Sequence, residues 1–381
     1  MNESETGSPG GILESILPTT AYSESAFELE RERLFPGAWC AVTVASMLPE
    51  SGDALPIDFA GWPLLLVRSP SGEINAFFNI CRHRAMRLVD GRCRLDKVIR
   101  CPWHSWTYDL DGNLTATPNL SGWKHNDPHS LDPRSLALKQ LRVEVWNDIV
   151  FVNADGQAAA LEESLQELAT AVRTYDFSAF QHSRTWSISL EGNWKVVMEG
   201  GLEDYHTPWG HPQYVKGVED YKVDYLLGPS HSGYLVSRSQ DASSLHGADD
   251  KTVLPAVSGL DGDSLQYYII NLFPNTLLAL ERDHLVVMLF MPESWDRTEV
   301  VFYQYFVGDA AHNDIFCDLR EAYFTSQSLI FEQDAVFVKA VHESLQMAGT
   351  AGVRPVFSAY WERAVQHFQG MAEAALARPC A

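Results

Sequence analysis

The chain of 381 residues carries 50 acidic against 28 basic side chains, a formal net charge of −22. That balance excludes a general nucleic-acid surface, which needs a basic face. With 46% hydrophobic residues the chain can bury the cores of two or three domains. Six cysteines spread from Cys40 to Cys380 form no disulfide framework and fit a reducing, cytoplasmic compartment. The polar stretch 1–11 has neither a basic nor an apolar region of signal-peptide type, and no apolar run approaches a membrane span. Neither a leader nor a membrane partner is therefore expected.

In chain order, residues 1–20 open as a polar, disordered-looking stretch. Residues 23–35 (SESAFELERERLF) predict a charged amphipathic helix, with Ser23 or Ser25 as N-cap and Ser25/Glu28 at capping-box spacing. Short apolar or alternating segments follow at 40–44, 54–59, 63–68, 74–80, 100–108, 141–146 and 149–153, punctuated by Gly52, Gly61, Gly72 and the hairpin signal Asp111-Gly112. They predict an all-β module over 38–154, behind an N-terminal segment 1–37. A helix over 158–175 leads into a second domain, 155–381. There the pattern predicts a strand at 185–190, a helix at 193–205, a loop-rich stretch 212–260, and strands at 264–272, 276–280, 285–291 and 300–307. A long helix over 309–347, broken near Thr325, and a helical end over 360–376 complete an α+β domain with its helices on one face of a sheet.

Two stretches carry chemistry. Cys81-Arg82-His83 is followed, after seventeen residues, by Cys101-Pro102-Trp103-His104. Two thiols and two imidazoles in this spacing call for a metal. Zinc accepts such a set tetrahedrally, and a Rieske [2Fe–2S] cluster accepts it with two thiolates on one iron and two imidazoles on the other. Each arm supplies one Cys and one His, which favours the cluster over a finger that pairs Cys with Cys. Loops hung from a rigid β module are a good way to hold such a centre.

The second stretch runs Glu199-Gly200-Gly201-Leu202-Glu203-Asp204-Tyr205-His206-Thr207-Pro208-Trp209-Gly210-His211. On an unbroken helix His206 and His211 would diverge by about 140°; Pro208 and Gly210 break it and allow them to converge. A non-haem Fe(II) site takes two His and one carboxylate on one face of the metal. Asp334, flanked at helical spacing by Ile330, Phe331, Phe337 and Val338, is the candidate third ligand, because a carboxylate on an apolar face is costly to bury unpaired. The alternative is a carboxylate at the face boundary, satisfied by solvent or arginine. Glu203 shares a helix face with His206 and could orient its ring. Trp209, Tyr214 and His231 are candidate substrate-pocket groups, together with the apolar strands 264–307; His284 is a further pocket candidate.

Taken together, Cys81-x-His83…Cys101-x-x-His104, Glu203-x-x-His206-x4-His211 and a helical Asp334 resemble the α subunit of Rieske non-haem iron ring-hydroxylating oxygenases. The resemblance spans nearly the whole chain, including the N-terminal helix, Asn193-Trp194-Lys195, Pro274-Asn275 and the closing helix. It implies a Rieske β domain plus a helix-grip catalytic domain, an antiparallel sheet with a long C-terminal helix. It implies a [2Fe–2S] cluster on Cys81, His83, Cys101 and His104, and mononuclear Fe(II) on His206, His211 and Asp334. Glu203 falls where the family bridges a cluster His of one subunit to an iron His of the next, which implies a homotrimer. Electrons would come from NAD(P)H through a separate reductase, with or without a ferredoxin.

The implied reaction uses O₂ to hydroxylate or oxidatively demethylate a small organic substrate. The Glu-Asp-Tyr-His-Thr-Pro-Trp-Gly-His-Pro run looks like the homotrimeric monooxygenase and demethylase branch, which takes quaternary ammonium, betaine, methoxy or N-methyl compounds. An aromatic-ring dioxygenase forming cis-dihydrodiols is the alternative, and a Rieske electron carrier without oxygenase activity a remote one. Three positions depart from the family pattern: Ala85 where Gly is commoner, Trp103 where Tyr is common, and Gly200 where many members have Asn. The last weakens a naphthalene-type reading.

Overall fold

The computed structural model describes residues 11–125, 132, 134–214, 222–238, 254–260 and 265–377. The first ten residues, His129, His246 and Cys380 lie outside the described residues, as does the side chain of Tyr214. The strands are β1 (Ile12–Glu14), β2 (Cys40–Val44), β3 (Asp53–Phe59), β4 (Trp62–Arg68), β5 (Ile74–Phe78), β6 (Cys93–Arg94), β7 (Val98–Arg100), β8 (Thr107–Asp109), β9 (Leu114–Ala116), β10 (Gln140–Trp146) and β11 (Ile149–Asn153). They continue with β12 (Phe180–Leu190), β13 (Lys222–Gly228), β14 (His231–Arg238), β15 (Leu265–Leu272), β16 (Thr276–Leu280), β17 (His284–Ser294), β18 (Arg297–Val307) and β19 (Val356–Ser358). The main helices are α1 (Glu24–Leu29), α2 (Leu161–Ser164), α3 (Gln166–Ala171), α4 (Trp194–Gly201), α5 (Cys317–Ala348) and α6 (Arg363–Leu376).

The chain divides into two units: Trp39–Ala158, and Met1–Ala38 with Ala159–Ala381. The first is all β. A seven-stranded antiparallel sheet runs β2-β11-β10-β5-β4-β3-β6, and β7-β8-β9 form a second, small sheet. β2 and β11 are buried on both faces, which their unbroken apolar runs allow. Two tight hairpins place consecutive residues at positive φ, Ala60-Gly61 and Asn147-Asp148, the twist that joins neighbouring strands without splaying them. At the β8–β9 turn Gly112 takes φ +83, and a Cβ there would meet the Phe77 ring at 2.5 Å. Only glycine serves both needs.

In the other unit a seven-stranded antiparallel sheet runs β12-β18-β17-β16-β15-β14-β13. Aromatic contacts seat α5 on it: Phe331 against Phe302 at 4.7 Å and Phe324 against Trp186 at 5.2 Å, both edge-on. α5 is unbroken through Thr325, in contrast to the expected break; a single β-branched residue in a long apolar-faced helix costs too little to interrupt it. β13 and β14 occupy part of the stretch expected to be loop. Their polar and glycine-bearing sequences hide the alternation, and β13, at the sheet edge, leaves several side chains exposed.

The N-terminal segment belongs to this unit. Ser23 Oγ caps α1 by accepting from Ala26 N at 3.3 Å, so Ser25 with Glu28 is not the cap. The helix widens into a π-type turn over Glu30–Leu34 that buries Glu30 and Leu34. Phe35 packs on Trp194 of α4 at 5.5 Å, and β1 pairs with β19.

Candidate metal centres

In the all-β unit the two Cys/His arms fold alike. Cys81 N donates to Met86 O at 2.8 Å and Ala85 N to Cys81 O at 3.0 Å; Cys101 N donates to Trp106 O at 2.8 Å and Ser105 N to Cys101 O at 3.1 Å. Ala85 (φ 57) and Ser105 (φ 56) hold the same left-handed position four residues after each cysteine. The position commonly glycine in the family is thus one where glycine is free of strain. Both cysteines are buried in the unit's core, whereas His83 and His104 are exposed, with ring centroids 4.7 Å apart. Trp106 stacks on His83 at 4.9 Å, and Arg84 lies over the Trp103 ring at 4.3 Å, tying one arm to the other. Tyr108 Oη sits 3.4 Å from Cys81 Sγ.

This donor set suits two irons rather than one zinc. Around a single tetrahedral zinc, with bonds of about 2.0–2.3 Å, all four donors would lie within about 4 Å of each other. Among the described residues, the sets of three or more donors that converge within 4.8 Å are His206/His211/Asp334 and Glu281/Asp283/His284, and neither includes these arms. Two inward thiols and two outward imidazoles fit a cluster that divides them between its irons.

In the other unit, Asn193 caps α4 by accepting from Lys195 N at 3.1 Å. The helix ends at Gly201, earlier than the predicted residue 205, because Gly200-Gly201 are poor helix formers. His206 follows the break, and a single turn over Thr207–Gly210 returns the chain so that His211 faces it. Gly210 sits tight against both neighbours: a Cβ there would meet the His206 ring at 3.1 Å and Phe337 at 3.2 Å. The two Nε2 atoms stand 3.1 Å apart, and Asp334 Oδ1, from α5, lies 3.5 Å from His206 Nε2 and 3.2 Å from His211 Nε2.

Three donors at right angles around a metal, each about 2.1 Å from it, would stand about 3 Å apart, so the set fits one face of an octahedral ion. The outer nitrogens are held as such a site requires. His206 Nδ1 is hydrogen-bonded to Glu203 Oε1, and His211 Nδ1 lies 2.8 Å from Gln333 Oε1. Without a metal, the site attracts protons instead. Burial lowers the pKa of His206, but Asp334 and Glu203 outweigh it and carry the group to about 10.

Two cavities flank this set and share Gly200, Gly201, Glu203, His206, Phe331 and Asp334. One, of about 170 Å³, lies between α5 and the sheet, walled by Tyr234, Tyr267, Ile269, Leu277 and Met288. Its carboxylates are Glu203, Asp204, Glu281 and Asp334, and no lysine or arginine stands among the described residues lining it. Tyr267 Oη donates to Asp204 Oδ2 at 2.5 Å. The other cavity, about 350 Å³, is mostly apolar, with Glu199, Glu203, Asp334 and Glu362 as its acids. A Cβ on Gly200 would meet nothing within 4 Å, so this chain's departure from the family's asparagine to glycine leaves open space beside the donors.

The predicted pocket groups disperse. Trp209 lines the larger cavity but is 76% exposed. His231 lines neither cavity; its ring packs over Gly228 across the β13–β14 turn, filling the space that the glycine leaves. Tyr214 ends a short turn over Pro212–Tyr214. The strands 264–307, expected to wall the pocket, line the smaller cavity through Tyr267, Ile269, Leu277 and Met288; sequence reasoning passed over Asp204 and Glu281, each one polar residue in an ordinary loop or strand-end pattern. It weighed His284 without its partners.

Residues 38–142 match the family model described as Rieske [2Fe-2S] domain, and residues 177–378 match ring hydroxylating alpha subunit (catalytic domain). The chain is 29% identical over 220 residues to the carnitine monooxygenase oxygenase subunit of Acinetobacter pittii, a match covering 57% of this chain and 57% of that protein. It is 27% identical over 314 residues to the glycine betaine monooxygenase oxygenase subunit of Chromohalobacter salexigens, covering 77% and 66%. The matches thus span little more than half to two-thirds of these relatives' lengths. The crystal structure of the quaternary ammonium Rieske monooxygenase CntA superposes with a TM-score of 0.79 at 20% identity, covering 95% of this chain and 96% of that one, a likeness of fold. With the catalytic-domain match alone taking in more than half of its residues, the chain belongs to the ring-hydroxylating oxygenase α-subunit family, with a Rieske [2Fe–2S] domain ahead of the catalytic domain.

Proposed function

We propose that the protein is the terminal oxygenase component of a Rieske non-haem iron system, hydroxylating a C–H bond beside the nitrogen of a small N-methylated cation. Cys81, His83, Cys101 and His104 would hold the [2Fe–2S] cluster, and His206, His211 and Asp334 the mononuclear Fe(II). When bound, the iron supplies the oxidation with O₂ and the cluster supplies electrons one at a time. A reductase drawing on NAD(P)H would reload it, and a homotrimer, as the family position of Glu203 implies, would bring a cluster to each iron. The overall balance is O₂, two electrons and two protons consumed, one oxygen atom entering the C–H bond and the other leaving as water. An N-hydroxymethyl product then breaks down to the demethylated amine and formaldehyde.

The chain's own residues do the positioning. Glu203 and Gln333 hold the outer nitrogens of His206 and His211, so that each ring turns Nε2 inward. Ile269, Leu277, Met288 and Phe331 exclude water from the smaller cavity.

The observation that carries the substrate class is the lining of that cavity: four carboxylates, three histidines, two tyrosines and a phenylalanine, with no lysine or arginine among its described lining residues. Aromatic faces and carboxylates together suit a cation. Asp334 and Glu203 serve the iron site whatever the substrate, but a neutral arene offers no reason for Asp204 and Glu281, so this lining favours the demethylase reading over ring dihydroxylation. The test is O₂ uptake and formaldehyde release with a reductase across N-methylated cations, betaines, methoxy-aromatics and arenes. Stimulation confined to arenes, with a diol product, would sink the proposal.

A further inference from the structure

The donor set stands between two spaces rather than at the end of one. On α5, Asp334 divides them. Ser326, Gln327 and Ile330, toward the helix start, line only the smaller cavity, and Phe337, Val338 and Val341, toward its end, line only the larger. From Asp334 to Val341 the wall of the larger cavity follows about 10 Å of helix rise. α4 repeats the division: Val196 and Val197 line only the larger cavity, whereas Gly200 and Gly201 line both.

The larger cavity is apolar where it leaves the donors. Leu190, Val196, Val197, Val338, Val341 and Val365 are aliphatic parts of its wall. Its two acids that do not serve the donor set are engaged by the protein. Glu199 Oε1 accepts from Tyr22 and Gln369, and Glu362 Oε2 accepts from Ser358 N at 2.6 Å. Water gains few partners along such a wall. Trp209, Phe337 and Val341 nevertheless expose much of their apolar surface here, which is unfavourable until something covers it. At about 350 Å³ against about 170 Å³, this space is the larger of the two that reach the donors.

The glycines between the cavities differ in kind. At Gly201 a Cβ would meet Leu277 at 2.7 Å, and at Gly210 one would meet the His206 ring at 3.1 Å, so close neighbours account for both. A Cβ on Gly200 would meet nothing within 4 Å, and this residue lies in α4, where glycine costs helix stability. What the missing side chain supplies is the opening itself. Building on the proposed N-methylated cation, we infer that the substrate carries an aliphatic arm that lies in the larger cavity, and that Gly200 is the specificity-determining residue that keeps this cavity open to the donors.

The test is anaerobic calorimetry on the iron-loaded protein. The probes are tetramethylammonium and its ethyl-, butyl- and hexyltrimethylammonium homologues, alike in charge and different in apolar length. Each methylene removed from water should tighten binding about threefold, so that the hexyl compound exceeds tetramethylammonium by at least about thirtyfold. In Gly200→Leu, whose side chain enters the opening, that ratio should fall below about threefold. Val341→Trp, at the far and half-exposed end of the wall, should lower the hexyl gain and spare the ethyl gain. A flat series with the wild-type protein would overturn the inference and leave Trp209, Phe337 and Val341 to be covered by a second copy of the chain. So would a hexyl gain unchanged in either variant, which would place the binding elsewhere on the protein. Tetramethylammonium bound without a gain along the series keeps the N-methylated reading; no binding by any probe removes that reading as well.

Discussion

Glu203 reaches His206 through both its backbone and its ring: one carboxylate oxygen meets Nδ1, and the other accepts from the His206 amide at 3.1 Å. It is an intrachain clamp on a donor ring, whatever it does toward a neighbouring subunit. The clamp predicts a signature that a pure electron bridge would not have. Glu203→Ala should weaken mononuclear iron binding by about 10–100-fold, with the Rieske absorption unchanged. Iron titration of the apo-protein measures this directly. Full iron occupancy with lost turnover would assign Glu203 to electron transfer alone.

His206→Ala and Asp334→Ala each remove one corner of the three-donor set. Iron to acid-labile sulfide should fall from about 3:2 to about 2:2 per chain, since a cluster holds two irons and two sulfides. The cluster spectrum should persist in both, because its arms lie in the other unit. Loss of cluster absorption in either variant would contradict the division of ligands proposed here.

A second relationship supports the catalytic unit from the N-terminal side. Lys195 of α4 and Glu30 form an ion pair at 1% and 0% exposure, and Trp194 Nε1 donates to the other Glu30 oxygen at 2.7 Å. Removing one partner leaves a charge buried without its counter-ion. Glu30→Ala should therefore cost about 3–5 kcal/mol in urea unfolding, while replacing both residues by methionine should recover most of it. An effect of Glu30→Ala below about 1 kcal/mol would show that the segment undocks without consequence.

These cases mark what sequence alone could carry. The cluster arms are short and local, so spacing made Cys81, His83, Cys101 and His104 legible. Asp334 was legible only as a carboxylate on an apolar helix face, and the fold adds what spacing could not, its 3.2 Å approach to His211. Glu30 sits in a run of charges that reads as solvated surface, and its partner is 165 residues away. Glu281 ends an apolar strand and looks like a turn residue until the cavity is seen. His231 was misread for the opposite reason: an isolated histidine beside a strand suggested a pocket, where glycine across the hairpin had left room for a ring. Pairing across the sheet, which determines such neighbours, is not encoded in local pattern.

Ala85 tests the left-handed position in the first cluster arm. An L-residue other than glycine is strained at φ 57, and Ala85 is exposed, so glycine removes strain without losing packing. Part of the gain returns as added chain entropy in the unfolded state. Ala85→Gly should stabilise the Rieske unit by about 0.5–1 kcal/mol, read as a higher temperature for bleaching of the cluster. Ser105→Gly should behave alike, its φ being 56. A drop in bleaching temperature in both would show that the arms need stiffness more than relief of strain.

Glu199 makes a pH prediction. Its Oε1 accepts from Tyr22 Oη at 2.7 Å and Gln369 Nε2 at 3.0 Å, and it borders the larger cavity. Burial pushes its pKa from 4.5 up to about 7; the two hydrogen bonds and Lys195 oppose the rise, and Glu362 adds to it. Below the unfolded-state value near 4.5 the carboxyl is protonated in both states, and folding is indifferent to pH on its account. Between there and about 7 the unfolded chain releases a proton that the folded chain keeps, so the unfolded state binds fewer protons and stability falls as pH rises. Above about 7 the loss is complete, roughly 3 kcal/mol. Glu199→Gln keeps an acceptor for Tyr22 and cannot ionise. Its melting temperature should equal or fall below wild type at pH 4.5, and exceed it by several degrees at pH 8. Parallel melting curves for the two proteins across that range would show that the carboxylate is ionised throughout, stabilised by Tyr22 and Gln369 against its burial.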